Sequence, residues 1–372
     1  MPERLRRLPI ARLGLAFVLL LVGSAGSCAQ EARDTTPATL QAPELGRPDL
    51  RLLVLTDLDG YLEPCGCTSR PLGGIDRMAA RLAAVRADGV PSVLVAAGDL
   101  FFHGAPHGVD AERASQQEIW RAETLSEILG RLRLAAAAPG PLDFAFGTDQ
   151  LEQLARAAPF PVLAAGVELE GSEGEPALVP SVLHRAGELT VGIVGVSDLR
   201  GSDGSLPARV REREDLRDAA REAVRSLRER GAQVVVALVN GDRRTARRIA
   251  TGVEGVDFVV QGGLDEAEAS PPVVTEGAVL VHAARQGHGV TVVDVWRRGD
   301  GPWTDVSVWT RERQRAHLEE RIEALARQIA EWERDERADR ADVERQRARL
   351  ERLRAEAAGL ARAPRAEGNV IR

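Results

Sequence analysis

Two short apolar runs, each ending at an aspartate, constrain the fold of this chain more than any other feature. R-L-L-V-L-T precedes Asp57, S-V-L-V-A-A-G precedes Asp99, and the helix-like segment G-G-I-D-R-M-A-A-R-L-A-A-V-R-A-D-G lies between them. This order predicts an α/β fold in which the carboxyl ends of neighbouring strands converge on one crevice. Asp57 and Asp99 can approach each other there and hold a cation, although either aspartate alone is equally compatible with a helix or turn cap.

The residues around these aspartates resemble a known family. D-L-D-G at 57–60, G-G-I-D-R at 73–77 and A-G-D-L-F at 97–101 are similar to the opening blocks of the calcineurin-like metallophosphoesterases, 5′-nucleotidase branch. That family reads D-x-H-G, then G-G, then G-D. The resemblance covers residues 51 to about 295 and implies a four-layer α/β/β/α sandwich of two mixed sheets with helices outside.

The same resemblance shows where the family's metal ligands and catalytic histidine are replaced. Asp59 stands at the first histidine position, and P-L-D at 141–143 stands where the family has asparagine, the catalytic histidine and glutamate. Downstream, Asn240 and Asp265 occupy further histidine positions, and so does Gly263. The family's histidine donates to the phosphoryl oxygen or the leaving group, and Leu142 has no side-chain donor for that role.

The replacements nevertheless offer a set of oxygen ligands. If they converge, the carboxylate and amide oxygens form a site without nitrogen that suits Ca²⁺ or Mg²⁺ rather than Zn²⁺. The predicted ligands are Asp57, Asp59, Asp99, Asn240 and Asp265. The opposing interpretation is that these are ordinary strand-end residues in an inactive site, and the sequence leaves both open.

The amino-terminal segment has the pattern of an export signal. Arginines are followed by the apolar run L-G-L-A-F-V-L-L-L-V-G and by small residues before Cys28, which predicts a signal peptide over residues 1–27. A-G-S-C resembles the bacterial lipobox, with Ala25 where the pattern prefers leucine, so we expect Cys28 to carry a lipid that holds the protein on a membrane. Residues 28–50 lack apolar periodicity, which predicts a flexible tether. The signal pattern and the expected lipid place the protein in the bacterial cell envelope, facing the periplasm or the surface.

Cys65 and Cys67 lie in E-P-C-G-C, immediately after the first predicted strand. In an oxidising exported compartment a free pair does not persist, so we expect a disulfide between them. The bond is either a loop staple or a strained, reducible and redox-active link. A redox function is the weaker alternative, because nothing nearby in the sequence lowers a thiol pKa.

The carboxyl-terminal segment over residues 311–362 has a heptad pattern. Apolar residues step by four and three, and the register resumes after an E-R-D-E-R-A-D-R-A-D interruption: Leu318, Ile322, Leu325, Ile329, Trp332, then Val343, Leu350, Leu353 and Leu360. The interruption puts Glu336 and Asp339 on the seam, which favours an antiparallel helical hairpin over one straight helix. Such a coiled coil could also pair with a protein partner or a second copy.

These patterns together predict an exported, lipid-anchored protein. A phosphoesterase-like domain over 51–300 precedes the hairpin, and we expect it to be catalytically degenerate and to act by binding. The alternative is a metal-dependent phosphoester hydrolase with a rebuilt oxygen-ligand site. Nucleic acid is excluded as a partner, because the net charge is −7 and becomes −10 once the predicted signal, with its charge of +3, is removed.

Overall fold

The computed structural model describes most of the chain from residue 40 onward. The described residues are 40, 43–64, 73–105, 111–201, 203–266, 268–335, 339–362, 364 and 368–372. They belong to the second of the two compact units into which the chain divides, Thr39–Arg372. The predicted signal peptide, Cys28 and the Cys65 and Cys67 pair lie outside the described residues. Within the described ranges, no helix has the length and apolar character needed to cross a membrane.

Strands and helices alternate along most of the chain. The strands are β1 (Leu50–Thr56), β2 (Ser92–Ala97), β3 (Leu134–Ala138), β4 (Val162–Leu163), β5 (Val167–Leu169), β6 (Leu178–Val179), β7 (Ser181–Ala186), β8 (Leu189–Ser197), β9 (Val210–Glu212), β10 (Val234–Asn240), β11 (Phe258–Gly262), β12 (Val273–Val274), β13 (Val279–Val281), β14 (Thr291–Trp296), β15 (Trp303–Asp305) and β16 (Asn369–Ile371). The helices are α1 (Ile75–Arg86), α2 (Ala111–Arg131), α3 (Thr148–Ala157), α4 (Leu216–Glu229), α5 (Arg243–Gly252), α6 (Val308–Trp332) and α7 (Arg340–Gly359), and Pro141–Phe144 forms a 3₁₀ turn.

Two mixed sheets carry most of the strands. The first has the order β15-β16-β14-β1-β2-β3-β4-β6, and the second has the order β12-β13-β11-β10-β8-β7. In the first sheet β1, β2, β3, β4 and β6 run parallel, and β14 is antiparallel to β1. In the second sheet β8, β10, β11 and β13 run parallel, and β7 and β12 are antiparallel edge strands. Parallel strands of this kind are buried on both faces, which explains their continuous apolar sequences.

Strand β1 shows how one sequence serves two cores. Leu52 and Val54 belong to the cluster between the two sheets, whereas Leu53 and Leu55 belong to the cluster beneath α1, α2 and α3. Helices α4 and α5 cover the outer face of the second sheet through a third cluster. Each fully buried leucine contributes about 1.5–3 kcal/mol to the free energy of unfolding. The expected α/β/β/α sandwich is confirmed.

The predicted helical hairpin is also confirmed. Apolar seam residues of α6 and α7 form one buried cluster: Leu318, Leu325, Ile329, Val343, Leu350 and Leu353. Trp332 is partly buried and packs against this cluster. Asp339 caps α7 by accepting the N–H of Ala341 over 2.8 Å, so the interruption acts as a turn. At the open end Arg311 donates to the carbonyls of Leu360 and Arg362. Glu336 lies outside the described residues.

After the hairpin the chain returns to the first sheet. β16 pairs antiparallel with β14 and parallel with β15, and Asn369 donates from Nδ2 to the carbonyls of Gly299 and Gly301. The hairpin is therefore an excursion between two strands of one sheet rather than a separate tail.

Candidate functional site

The crevice lies at the carboxyl ends of β1, β2, β10 and β11. Asp57 follows β1, Asp99 lies two residues beyond β2, and Asn240 is the last residue of β10. Gly263, directly after β11, donates its backbone N–H to Oδ1 of Asp57 over 2.7 Å. This hydrogen bond joins the two sheets, so strand ends from both line one crevice, as α/β folds predict.

The loops at this edge approach each other closely. Gly98 has φ +92°, and a Cβ placed there would lie 2.0 Å from Oδ1 of Asp57, so the position requires glycine. Asp57 and Asp59 have left-handed backbone conformations, with φ of +47° and +52°. Hydrogen bonds hold this uncommon turn, since the loop after β1 continues to pair with the loop after β2 through the N–H groups of Asp57, Asp59 and Gly60.

Asp57 and Asp99 are the two carboxylates that the family pattern retains. Burial raises the pKa of Asp57 to about 7, with smaller contributions from the charges of Asp99 and Asp59, while the N–H groups of Gly263 and Leu264 oppose the shift. Burial likewise raises the pKa of Asp99 to about 7, and Asp59 adds to the shift. Both carboxyls are thus partly protonated near neutral pH.

The 3₁₀ turn Pro141–Phe144 places backbone rather than catalytic side chains against Asp99. Leu142 donates its N–H to Oδ1 of Asp99 over 2.8 Å, and its side chain has no polar atom. The position where the resemblance puts the catalytic histidine therefore supplies one backbone donor and no general acid.

Asp143, fully buried at 0% exposure, staples this turn to the loop after β2. Its carboxylate accepts N–H groups from Gly140 over 2.9 Å, Leu100 over 3.0 Å and Phe101 over 2.6 Å. Burial raises the pKa of Asp143, the charge of Asp99 raises it further, and these N–H groups oppose the shift. The residue is an acceptor that holds two loops together.

Asp59, at the family's first histidine position, is held by arginine. Its side chain is only 2% exposed, and Oδ2 accepts from Nη2 of Arg285 over 2.7 Å, from Nε of Arg285 over 3.3 Å and from Nε2 of Gln286 over 3.2 Å. The other guanidinium nitrogen, Nη1, donates to Asp265, whose side chain is 91% exposed at the rim. One guanidinium thus joins two of the five predicted ligands.

Asn240 is the one predicted ligand with an unused buried oxygen. The residue is 2% exposed, and Nδ2 makes a 3.4 Å contact with the carbonyl of Asp198. Among the described residues no donor reaches Oδ1. A Cβ at Gly263 would lie 2.8 Å from that oxygen, so the oxygen faces the position where the sequence resemblance puts a histidine.

The residues do not fit the two-metal centre that the fold family implies. Asp59 and Asp265 bind a guanidinium, and Oδ1 of both Asp57 and Asp99 accepts backbone N–H groups. Within the described ranges, no group of three or more His, Cys, Asp or Glu side chains is arranged to hold a metal ion. Four of the five predicted Ca²⁺ or Mg²⁺ ligands thus have arginine or backbone N–H partners, and Asp57, Asp59 and Asp99 lie close enough to influence one another electrostatically.

Sequence reasoning missed Arg285 and the structural role of Asp143. Arg285 is 226 residues from Asp59, in a loop after β13, so no local motif connects them. Asp143 was predicted only as the family's glutamate position. Its spacing of three residues from Gly140 at the start of a turn is a capping pattern, and this signal could have identified its role.

A cavity of about 620 Å³ opens beside Asp59. Tyr61 and His103 meet edge to face on its wall with ring centroids 5.7 Å apart. Trp120 is 61% exposed and lines the same cavity. Its volume is in the range of small-molecule sites, about 300–1,000 Å³.

No protein-family model and no curated protein matches the chain. Several solved structures are similar to it. The 5′-nucleotidase precursor from Thermus thermophilus is 26% identical, with a TM-score of 0.57 over 68% of this chain and 52% of that chain. NAD nucleotidase from Haemophilus influenzae is 17% identical, with a TM-score of 0.56 over 68% of this chain and 48% of that chain. Calcineurin-like phosphoesterase YfkN from Bacillus subtilis is 21% identical, with a TM-score of 0.54 over 69% of this chain and 88% of that chain.

This chain therefore covers about half of the first two structures and most of the third. The resemblance drawn from the sequence blocks is confirmed.

Proposed function

We propose that this chain, which has the fold of the calcineurin-like metallophosphoesterases and resembles their 5′-nucleotidase branch, is an exported, lipid-anchored protein without dimetal hydrolase chemistry that acts by binding. One observation carries the proposal: a guanidinium, rather than a metal ligand, faces Asp59 in the crevice. Fold and family likeness come from the comparisons. Export, anchoring and loss of catalysis are our inferences.

The replaced histidine supports loss of catalysis. A positioned general acid contributes roughly 10²- to 10⁴-fold to rate. Leu142 contributes only its backbone N–H group to the described part of the crevice, and this group donates to Asp99. A phosphoester held there would lack both the proton donor and the metal charge that stabilise its transition state.

The charge of the crevice supports a ligand other than phosphate. A two-metal centre attracts anions, whereas here one guanidinium faces the carboxyls of Asp57, Asp59, Asp99 and Asp265. The cavity beside Asp59 is also lined by Glu63 and Glu118, and Arg121 in its wall is paired with Glu118. Acidic walls with aromatic rings favour an uncharged or cationic ligand.

Hydrolysis of a generic phosphoester, such as a nitrophenyl phosphate mono- or diester, tests the functional proposal. We expect the purified mature protein to show no hydrolysis above the Asp99→Ala variant in Mg²⁺, Ca²⁺ or Mn²⁺. Metal-dependent turnover by the wild type that Asp99→Ala abolishes would establish the alternative, a hydrolase with a rebuilt oxygen-ligand site, and would end the binding-only proposal.

Export and anchoring are supported by the sequence alone. The signal pattern and the small residues before Cys28 favour a lipid on that cysteine. Replacing Cys28 with Ser should move the protein from the membrane to the soluble fraction, and continued membrane attachment would contradict the proposal.

The same compartment favours a Cys65–Cys67 disulfide. Alkylation of the unreduced protein followed by mass spectrometry should leave both cysteines unmodified, and two alkylated thiols would contradict the bond.

A further inference from the structure

We propose that the guanidinium of Arg285 is the resident cation of the crevice and that it keeps a divalent metal away from the oxygens of Asp59. The inference rests on the proposed function, because it gives the physical reason why a site built from carboxylates does not assemble a metal centre. It also predicts that the excluded metal site can be uncovered by changing one residue.

The contacts of Arg285 occupy the oxygen that a metal would need. Oδ2 of Asp59 accepts two guanidinium nitrogens, at 2.7 and 3.3 Å, and Asp265 accepts the third. The Asp59 side chain is 2% exposed, so its charge requires a partner inside the protein. The guanidinium stays charged at every accessible pH, so this partner is permanent.

The loop of Arg285 is fixed in the crevice rather than free to swing away. Gln286 has a left-handed backbone with φ +55°, and its N–H donates to the carbonyl of Asp57 over 2.6 Å. The Arg285 N–H donates to the carbonyl of Glu266. A Cβ at Gly73 would lie 2.7 Å from the carbonyl oxygen of Gln286, so α1 begins directly against this loop. The guanidinium is thus held in position by backbone on both sides.

Arg285 also acts on the carboxyls that it does not touch. Its charge lowers the pKa of Asp99, against the larger effect of burial. Burial lowers the pKa of Arg285 itself, but hydrogen bonding to Asp59 and the charges of Asp59, Asp265 and Asp57 more than offset this, and the net direction is upward. A single fixed cation shared by carboxyls of several loops is the electrostatic role that a bound metal would otherwise take.

A second, independent observation marks a place for a ligand in the same crevice. Oδ1 of Asn240 is buried and has no donor among the described residues. It faces Gly263, whose N–H is bound to Asp57. Once the guanidinium is removed, the buried carboxylate of Asp59 would lack a counter-ion, and a hard cation that accepts carboxylate oxygens, such as Ca²⁺, Mg²⁺ or Mn²⁺, would be drawn to it.

Calorimetric titration of the mature chain with MnCl₂ tests the proposal. The Arg285→Gln variant should bind Mn²⁺ at least about tenfold more tightly than the wild type, a change equivalent to about 1.4 kcal/mol. Adding Asp59→Asn to Arg285→Gln should remove the gain. Arg211→Gln is the matched control, because Arg211 is also ion-paired, to Glu170, but on the surface.

Arg285→Met removes the charge but keeps a long side chain, and it decides the matter if Arg285→Gln does not fold. Without a cation beside Asp59, this variant should also bind Mn²⁺ more tightly than the wild type. Mn²⁺ binding by the wild type as tight as that of the folded variants would overturn the proposal. Hydrolysis of a phosphoester by the wild type would instead overturn the proposed function, so the two failures are distinguishable.

Discussion

The two sides of the crevice differ in the groups that each sheet contributes to it. On the first-sheet side, Asp57 and Asp99 remain at the ends of β1 and β2, and each carboxylate accepts a backbone N–H group. On the second-sheet side, Asn240 and Gly263 lie where the sequence resemblance puts histidines, and Gly263 contributes a backbone N–H group. The first-sheet side thus supplies the carboxylates, whereas the second-sheet side supplies a backbone N–H group and the buried amide of Asn240. The fold keeps the strand ends of the crevice together although the groups on its two sides differ.

The largest effect should come from Asp143, which anchors the first-sheet side. Asp143→Ala leaves three buried N–H groups without an acceptor, and each such group costs about 1–3 kcal/mol, so we expect a loss of at least about 3 kcal/mol in urea unfolding. Asp143→Asn keeps one acceptor and should cost less. Asp300→Ala, at a side chain that is 95% exposed, is the control. Equal effects at positions 143 and 300 would show that the staple does not stabilise the fold.

An intermediate effect should appear with pH. The folded protein retains a proton on Asp57 up to about pH 7, whereas the unfolded chain loses it near the ordinary aspartate pKa of 3.8. Between these values the folded state binds more protons, so raising the pH lowers the free energy of unfolding, by about 1.4 kcal/mol per pH unit for one carboxyl. Stability should therefore fall by about 2 kcal/mol or more from pH 5 to pH 7.

Asp57→Asn should flatten that pH profile, while Asp99 keeps part of the slope. Asn240→Leu, on the second-sheet side, removes no titrating group and should leave the slope unchanged. A wild-type stability that rises from pH 5 to pH 7 would contradict the burial of these carboxyls.

The smallest effect should come from Asn240. Its Oδ1 is buried without a partner in the described part of the chain, so replacing the residue by leucine removes an unsatisfied acceptor at similar side-chain size. We expect the free energy of unfolding to change by less than about 1 kcal/mol. A loss above about 2 kcal/mol would mean that the oxygen has a partner, and the contrast between the two sides would then be weaker.

The sequence predicted the parts of this molecule whose signals are local. β1 and β2 are continuous apolar runs ending near Asp57 and Asp99. The heptad patterns of α6 and α7 predict that these two helices pack against each other. The sandwich followed from the family blocks rather than from periodicity. Strand β16 was not predicted, because three residues after a hairpin carry no period, and its place depends on pairing with β14 and β15.

The sequence predicted the acidic and amide residues of the crevice but not its arginine. Asp57, Asp59, Asp99 and Asn240 were all placed at strand ends, where the structure has them. What they bind depends on Arg285, and the loop that carries it comes from a distant part of the chain. Asp59 and Arg285 are 226 residues apart, so no motif of fixed spacing connects them. The local sequence around Asp59 is therefore the same whether the residue binds a metal or an arginine.

Metal content measured by elemental analysis tests the central claim most directly. The wild-type mature protein would be equilibrated with Mg²⁺, Ca²⁺ and Mn²⁺, dialysed and analysed beside Arg285→Gln. Since Arg285 supplies the cation of the crevice, we predict well below one metal atom per wild-type chain and a clear gain in the variant. One or two metal atoms per wild-type chain, lost in Asp99→Ala, would contradict the account.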